Sequence, residues 1–119
     1  MTFHANRQNS VVGVQQKTSA RKLTVKKEKD VKEAVKKILN KVGAYWFMPV
    51  QTGYGVQGIP DFIVCLKGVF VAIETKFGGN TLSAHQEIQR NAIIKAFGDY
   101  YIVDETNVAD LEEQLCAYN

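Results

Sequence analysis

Residues 58–76, GIPDFIVCLKGVFVAIETK, are the part of this chain with the least conformational freedom. Two apolar, β-branched runs, FIVCL and VFVAI, flank Lys67-Gly68. A glycine-ending dipeptide between two such runs predicts a hairpin closed by a two-residue turn. A turn that tight sets the register: Leu66 pairs with Val69, Cys65 with Phe70, and continuing outward Asp61 stands opposite Glu74. Directly opposed residues share a face of the sheet with Cβ atoms about 5 Å apart. Side chains alternate along a strand, so Lys76 shares the face of Glu74 and Thr75 points away. Two carboxylates and an ammonium are thereby expected in one cluster at the ends of strands that are otherwise core. Strand ends often carry charges, so the alternative is that Glu74 and Lys76 form a same-face surface ion pair of small energy; a longer loop would also shift the register.

Two like charges beside a core repel, and one of them ordinarily protonates or leaves. A divalent cation removes the conflict. Carboxylate oxygens, a backbone carbonyl and waters make a hard, oxygen-only site suited to Mg²⁺ or Mn²⁺. Such an ion polarises a phosphate and lowers the pKa of a bound water. Lys76 beside that water would help hold it deprotonated and stabilise the charge that develops on the phosphate. These are the parts for hydrolysing a phosphodiester.

The rest of the chain bounds the setting. Its 119 residues are enough for one modest core, and 45% apolar with 23% charged residues is ordinary for a soluble globular domain. No apolar run approaches membrane-spanning length and the N-terminus lacks a signal-peptide stretch, so a cytoplasmic protein is expected. Cys65 and Cys116 have no neighbouring thiol and are expected to be reduced fillers, and His4 and His85 are too isolated for a zinc site. Charge is divided unevenly. Residues 1–42 carry eleven Lys/Arg against three acids, a net +8 that leaves −5 for the remainder. A basic arm on an acidic body suggests a polyanionic partner, although a solvated helix face and a soluble tail would carry the same charge.

Residues 1–22 are polar with no apolar period and are expected to form a basic N-terminal arm, leaving 23–119 as the folded domain. A first helix is predicted from about Thr24, as its cap, to Val42, closed by a left-handed Gly43. Val31, Val35, Ile38, Leu39 and Val42 form its apolar stripe. At ~100° per residue Glu28 lies within about 40° of the stripe's centre and Glu33 lies on the far, lysine-rich side. AYWFMPVQ, 44–51, reads as a strand that Pro49 confines to an edge, and TGYGVQG, 52–58, as a flexible loop. After the hairpin and the loop FGGN come a helix over 83–97 closed by Gly98, a strand at 100–103 and a terminal helix over 107–118. The order α-β-β-β-α-β-α predicts an α/β domain with one mixed sheet flanked by helices. Ser83 to Gln86 spells an S-x-x-Q capping box, in which Ser83 and Gln86 satisfy backbone donors at the start of the helix.

Pro60-Asp61 and Glu74-Thr75-Lys76, in this order of elements, resemble the core of the PD-(D/E)XK nucleases. Within that superfamily the pattern is most similar to the VRR-NUC group: an acid on the first helix (Glu28), GIPD (58–61), ETK (74–76), and GGNTLSAHQ (78–86) leading into the next helix. The likeness spans about residues 26–103. It implies a restriction-endonuclease-like fold, α-β-β-β-α-β. Asp61 and Glu74 would bind metal with the Thr75 carbonyl, and Lys76 would orient the attacking water. Glu28 would be the helix-borne acid, with Glu33 as its competitor. Gln86 would approach the active site, a role not easily combined with helix capping.

The substrate implied is DNA, with Mg²⁺, or Mn²⁺ in its place, as cofactor. Arg21, Lys22, Lys26, Lys27 and Lys29 are the candidate phosphate contacts, and His85, Tyr54 and Gln57 are weaker candidates. No helix-turn-helix or zinc-finger pattern for reading bases occurs, so recognition of DNA shape (junctions, flaps, nicks) is expected. Stand-alone members of the resembled group look like homodimeric junction resolvases. A dimer is expected by that analogy; Tyr45, Trp46, Phe47, Leu111 and Leu115 would either supply its apolar surface or belong to the core. A sequence-specific nuclease and a non-catalytic DNA-binding module are the alternatives.

Overall fold

In the computed structural model, which describes residues 25–51, 53 and 55–119, the chain forms a four-stranded sheet with helices on both faces. In chain order the elements are α1 (Glu28–Lys41), β1 (Tyr45–Phe47), β2 (Phe62–Leu66), β3 (Val69–Thr75), α2 (Ala84–Lys95), β4 (Asp99–Val103), a 3₁₀ turn (Val108–Asp110) and α3 (Leu111–Cys116). The strands lie in the order β1-β2-β3-β4. The first two pairings are antiparallel and β3–β4 is parallel, so the sheet is mixed, as the element order predicts.

The hairpin has the expected register, from Leu66 opposite Val69 to Phe62 opposite Ile73. Its turn places Lys67 at φ 55° and Gly68 at φ 82°, the two positive angles that a type I′ turn demands. One face of the sheet carries Phe62, Val64, Leu66, Val71, Ile73, Tyr101 and Val103. Against it pack Val31, Val35 and Leu39 of α1 together with Val108, Leu111 and Leu115. Leu111 and Leu115 are thus core and unavailable to a partner. Trp46 also belongs inside: its ring packs 5.7 Å from that of Phe62 and its indole N–H donates to Asn40. Tyr118, buried behind α3, donates to Asp99 and shares a hydrogen bond with Tyr101, which ties the chain's last turn to β4.

Several boundaries differ from expectation. Helix α1 begins at Glu28 rather than near Thr24, which lies outside the described residues. Lys27 at its N-cap is extended and offers no side-chain cap. Strand β1 stops at Phe47, two residues ahead of Pro49. At the end of α2 the left-handed residue is Phe97 (φ 70°), not Gly98. The amides of Phe97 and Gly98 donate back to Ile94 and Ile93, a Schellman closure. Gly98 is needed for space instead, since a Cβ there would lie 2.9 Å from the Ile93 methyl and 3.0 Å from the Phe70 ring. Cys65 and Cys116 are free, as expected, but exposed rather than filling the interior. No described helix is long and apolar enough to cross a membrane.

Candidate active site

The candidate residues meet where β2 begins and β3 ends. Ladder pairing stops at Phe62–Ile73, and one step beyond it the backbone N–H of Asp61 donates to Glu74 Oε1 at 3.2 Å. The two acids are therefore neighbours, but they do not simply face each other. Asp61 turns its Oδ2 around the end of β3, where it accepts from the Thr75 amide (3.0 Å) and the Thr75 hydroxyl (2.6 Å). Thr75 points to the α1 side, as alternation requires, yet its side chain belongs to the cluster instead of standing apart from it.

Glu74 lies on the opposite face, the one that α2 partly covers. It is 3% exposed. Its Oε2 accepts from Gln86 Nε2 at 2.9 Å and lies 3.7 Å from Lys76 Nζ. Gln86 fills both of the roles expected to exclude each other. Its Oε1 accepts from the Ser83 amide (2.9 Å) and its own backbone amide donates to the Ser83 hydroxyl (3.2 Å), completing the capping box. The same Oε1 accepts from Lys76 Nζ at 3.0 Å while Nε2 reaches Glu74. A carbonyl oxygen has two lone pairs and an amide nitrogen two hydrogens, so one glutamine can cap the helix and fix both site residues.

Gly58 explains how the loop ahead of β2 approaches this helix start. With φ 77°, it passes so close to α2 that a Cβ would fall 2.5 Å from the His85 carbonyl and 2.7 Å from the Gln86 amide nitrogen. The loop is further braced by Gln51 Nε2 donating to the Ile59 carbonyl. On the far side, both carboxylate oxygens of Glu105 accept from the Gly78 amide and hold the Gly-Gly loop that joins β3 to α2.

The first helix contributes in a way that sequence reasoning missed. Lys32, one turn after Glu28, bridges Glu28 and Asp61. Lys32 Nζ donates to Glu28 Oε2 at 2.7 Å and Thr75 Oγ1 at 2.9 Å, and lies 3.3 Å from Asp61 Oδ2. Its signal was its spacing, since residues four apart are neighbours on a helix surface and Lys32 flanks Glu28. Glu33 points elsewhere and pairs with Lys36. Lys26, Lys27 and Lys29 are exposed around the N-terminus of α1, whereas Arg21, Lys22 and Tyr54 lie outside the described residues. His85 is exposed, and Gln57 Nε2 donates to the Gly53 carbonyl at 3.4 Å.

Electrostatics follows from this layout. Burial, then the charge of Asp61, raises the Glu74 carboxyl from 4.5 to about 7, only partly offset by Lys76 and by the Asp61 amide. Burial disfavours the charged form of Lys32, but its hydrogen bond to Glu28 and the charges of Asp61 and Glu28 prevail and raise its pKa. A carboxyl so raised beside a second carboxylate is a group that wants a cation. The donors available are Glu74 and the Oδ1 of Asp61, which no group among the described residues engages. Among the described residues no group of three or more acidic, histidine or cysteine side chains converges. The pair fits Mg²⁺, which binds through one or two carboxylates and keeps most of its waters.

No family model matches this sequence, and no curated protein matches it. Solved structures do. A chain described as a VRR_NUC domain superposes with a TM-score of 0.64 at 21% identity, covering 80% of this chain and 100% of that one. Hjc of Archaeoglobus fulgidus, described as a Holliday junction resolvase from an archaeal hyperthermophile, superposes with a TM-score of 0.51 at 20% identity over 64% of this chain and 66% of its own. At such identities the likeness is one of backbone architecture: this chain has the fold shared by the VRR_NUC domain and Hjc.

Proposed function

We propose that this chain is a metal-dependent DNA endonuclease that hydrolyses phosphodiester bonds and selects branched DNA by its shape. The observation that carries this reading is the pair Asp61–Glu74, hydrogen-bonded side by side at the end of the hairpin with Lys76 Nζ 3.7 Å from Glu74. Asp61 and Glu74 would hold a Mg²⁺ ion, or Mn²⁺, and the Thr75 carbonyl is the further ligand that the PD-(D/E)XK resemblance suggests. When bound, such an ion supplies a polarised phosphate oxygen and a water of lowered pKa.

The chain's own residues do the rest. Lys76, anchored by Gln86 Oε1, presents an ammonium that can donate to the attacking water and to a phosphate oxygen as negative charge accumulates there. Gln86 holds Lys76 and Glu74 in one geometry, so the two enter the reaction already oriented. Lys26, Lys27 and Lys29 would neutralise backbone phosphates, and Arg21 and Lys22, which lie outside the described residues, are further candidates for the same role. The fold shared with a Holliday junction resolvase supports a branched substrate, and two copies acting as a homodimer would cut two strands of one junction.

Cleavage of a four-way junction, a flap and a linear duplex, each in Mg²⁺ and in Mn²⁺, tests the reading. The branched substrates should be cut at least about 10-fold faster than the duplex. Asp61→Ala and Lys76→Ala should each lower cleavage by about 100-fold or more while DNA binding survives. Wild-type rates in either variant would remove the site assignment; equal cutting of all three DNAs would remove the shape selectivity.

A further inference from the structure

Lys32 is the most heavily committed cation among the described residues. Its Nζ meets oxygens from three separate elements: Glu28 Oε2 on α1 at 2.7 Å, Thr75 Oγ1 at the end of β3 at 2.9 Å, and Asp61 Oδ2 ahead of β2 at 3.3 Å. An ammonium has three hydrogens, and here each has an oxygen within reach. Asp61 Oδ2 is committed in turn: it accepts from the Thr75 amide and hydroxyl and faces Lys32, which leaves only Oδ1 for any other partner. Glu28 Oε2 is drawn to Lys32 in the same way.

We propose that Lys32 is a built-in cation of this site: it occupies the place between Glu28 and Asp61 that a second divalent ion would need, and so restricts the site to one. The proposal rests on reading Asp61 and Glu74 as a metal-binding pair. Charge arithmetic favours it. With all five groups ionised, Glu28, Asp61 and Glu74 against Lys32 and Lys76 leave the cluster at one net negative charge. A single divalent ion turns that to one net positive, which a phosphodiester neutralises. A second ion would leave a large uncompensated positive charge next to two ammonium groups, which like-charge repulsion opposes. Lys32 is thus a positioning residue: it acts through Asp61, aiming the free Oδ1 by holding Oδ2.

Counting bound Mn²⁺ in the full-length protein without DNA, by electron paramagnetic resonance of the free ion, tests this apart from cleavage. Wild type should bind one Mn²⁺ per chain. Lys32→Ala should bind two, and adding Glu28→Gln in that background should return the count to one. Lys32→Gln keeps a hydrogen-bond donor to Thr75 without the charge, and it too should take up a second ion; it serves if the alanine variant does not fold. One ion in wild type and one in both Lys32 variants would overturn the role given to Lys32 and leave the nuclease reading standing. Two ions in wild type would overturn it without any variant. No Mn²⁺ bound by wild type would overturn both together.

Discussion

Glu74 is where burial and function pull in opposite directions. A carboxyl 3% exposed beside Asp61 holds its proton up to about pH 7, whereas in the unfolded chain it releases it near 4.5. Between those values the native state binds more protons than the unfolded state, so stability falls as pH rises through this window. The loss amounts to about 3 kcal/mol at pH 8 relative to pH 4, because a tenfold change in proton affinity is worth about 1.4 kcal/mol. Glu74→Gln should flatten this slope in metal-free protein, measured as urea midpoints between pH 4 and 8, and should be more stable than wild type at pH 8. A wild-type slope retained in the variant would assign the titration elsewhere. The same proton must leave when a metal binds, so wild-type affinity for Mn²⁺ should climb with pH up to about 7 and level off above it.

Among the elements, the hairpin places the site and its turn is the weakest-fitting part of it. A type I′ turn wants left-handed residues at both positions, and Lys67 takes φ 55° where asparagine or glycine fits with less strain. Lys67 is exposed and remote from Asp61 and Glu74, so Lys67→Asn should raise stability by about 0.5–1 kcal/mol in urea titration and leave cleavage unchanged. That turn is also why so much is readable from residues alone. A two-residue connection admits one register, and the register brings Asp61 to Glu74. Helix periodicity likewise separates Glu28 from Glu33, because angular position follows from spacing. What residues alone do not reveal depends on how elements meet. Whether Lys32 reaches Thr75 is set by how closely α1 lies over the end of β3, which no periodicity encodes. The start of α1 is hard to place from sequence because Lys27 offers no capping side chain as a marker. The capping box in the sequence says nothing of a second role for Gln86, since Lys76 and Glu74 converge on its remaining lone pair and hydrogens from another element.

At the scale of the molecule, charge and apolar surface each point outward. Lys26, Lys27 and Lys29 crowd the N-terminus of α1, where the helix dipole disfavours positive charge. A location that costs the fold stability and lies beside the acidic cluster suits a polyanion. Changing all three to glutamine should weaken binding of a DNA junction and lower the slope of log affinity against log salt by roughly 2 to 3, at about 0.9 for each phosphate no longer neutralised. The apolar surface lies elsewhere. Register places Tyr45, Cys65 and Phe70 in one row across β1, β2 and β3, and all three are exposed. Phe47 stands in the next row of the same face, beside Ile63. Helix α2 shields the β3–β4 side of this face and leaves the β1–β2 side open, which is where the proposed homodimer has an apolar surface to bury. Cys65 sits in the middle of that row and Cys116 on α3, so the chain carries its own reporter and its own control. Thiol labelling at Cys65 should slow as protein concentration rises, while labelling at Cys116 stays constant. Tyr45→Asp combined with Phe47→Asp should abolish the protection and sediment as a monomer. Labelling of Cys65 independent of concentration up to about 100-fold dilution, with wild type sedimenting as the variant does, would place the pairing surface elsewhere or remove the dimer altogether.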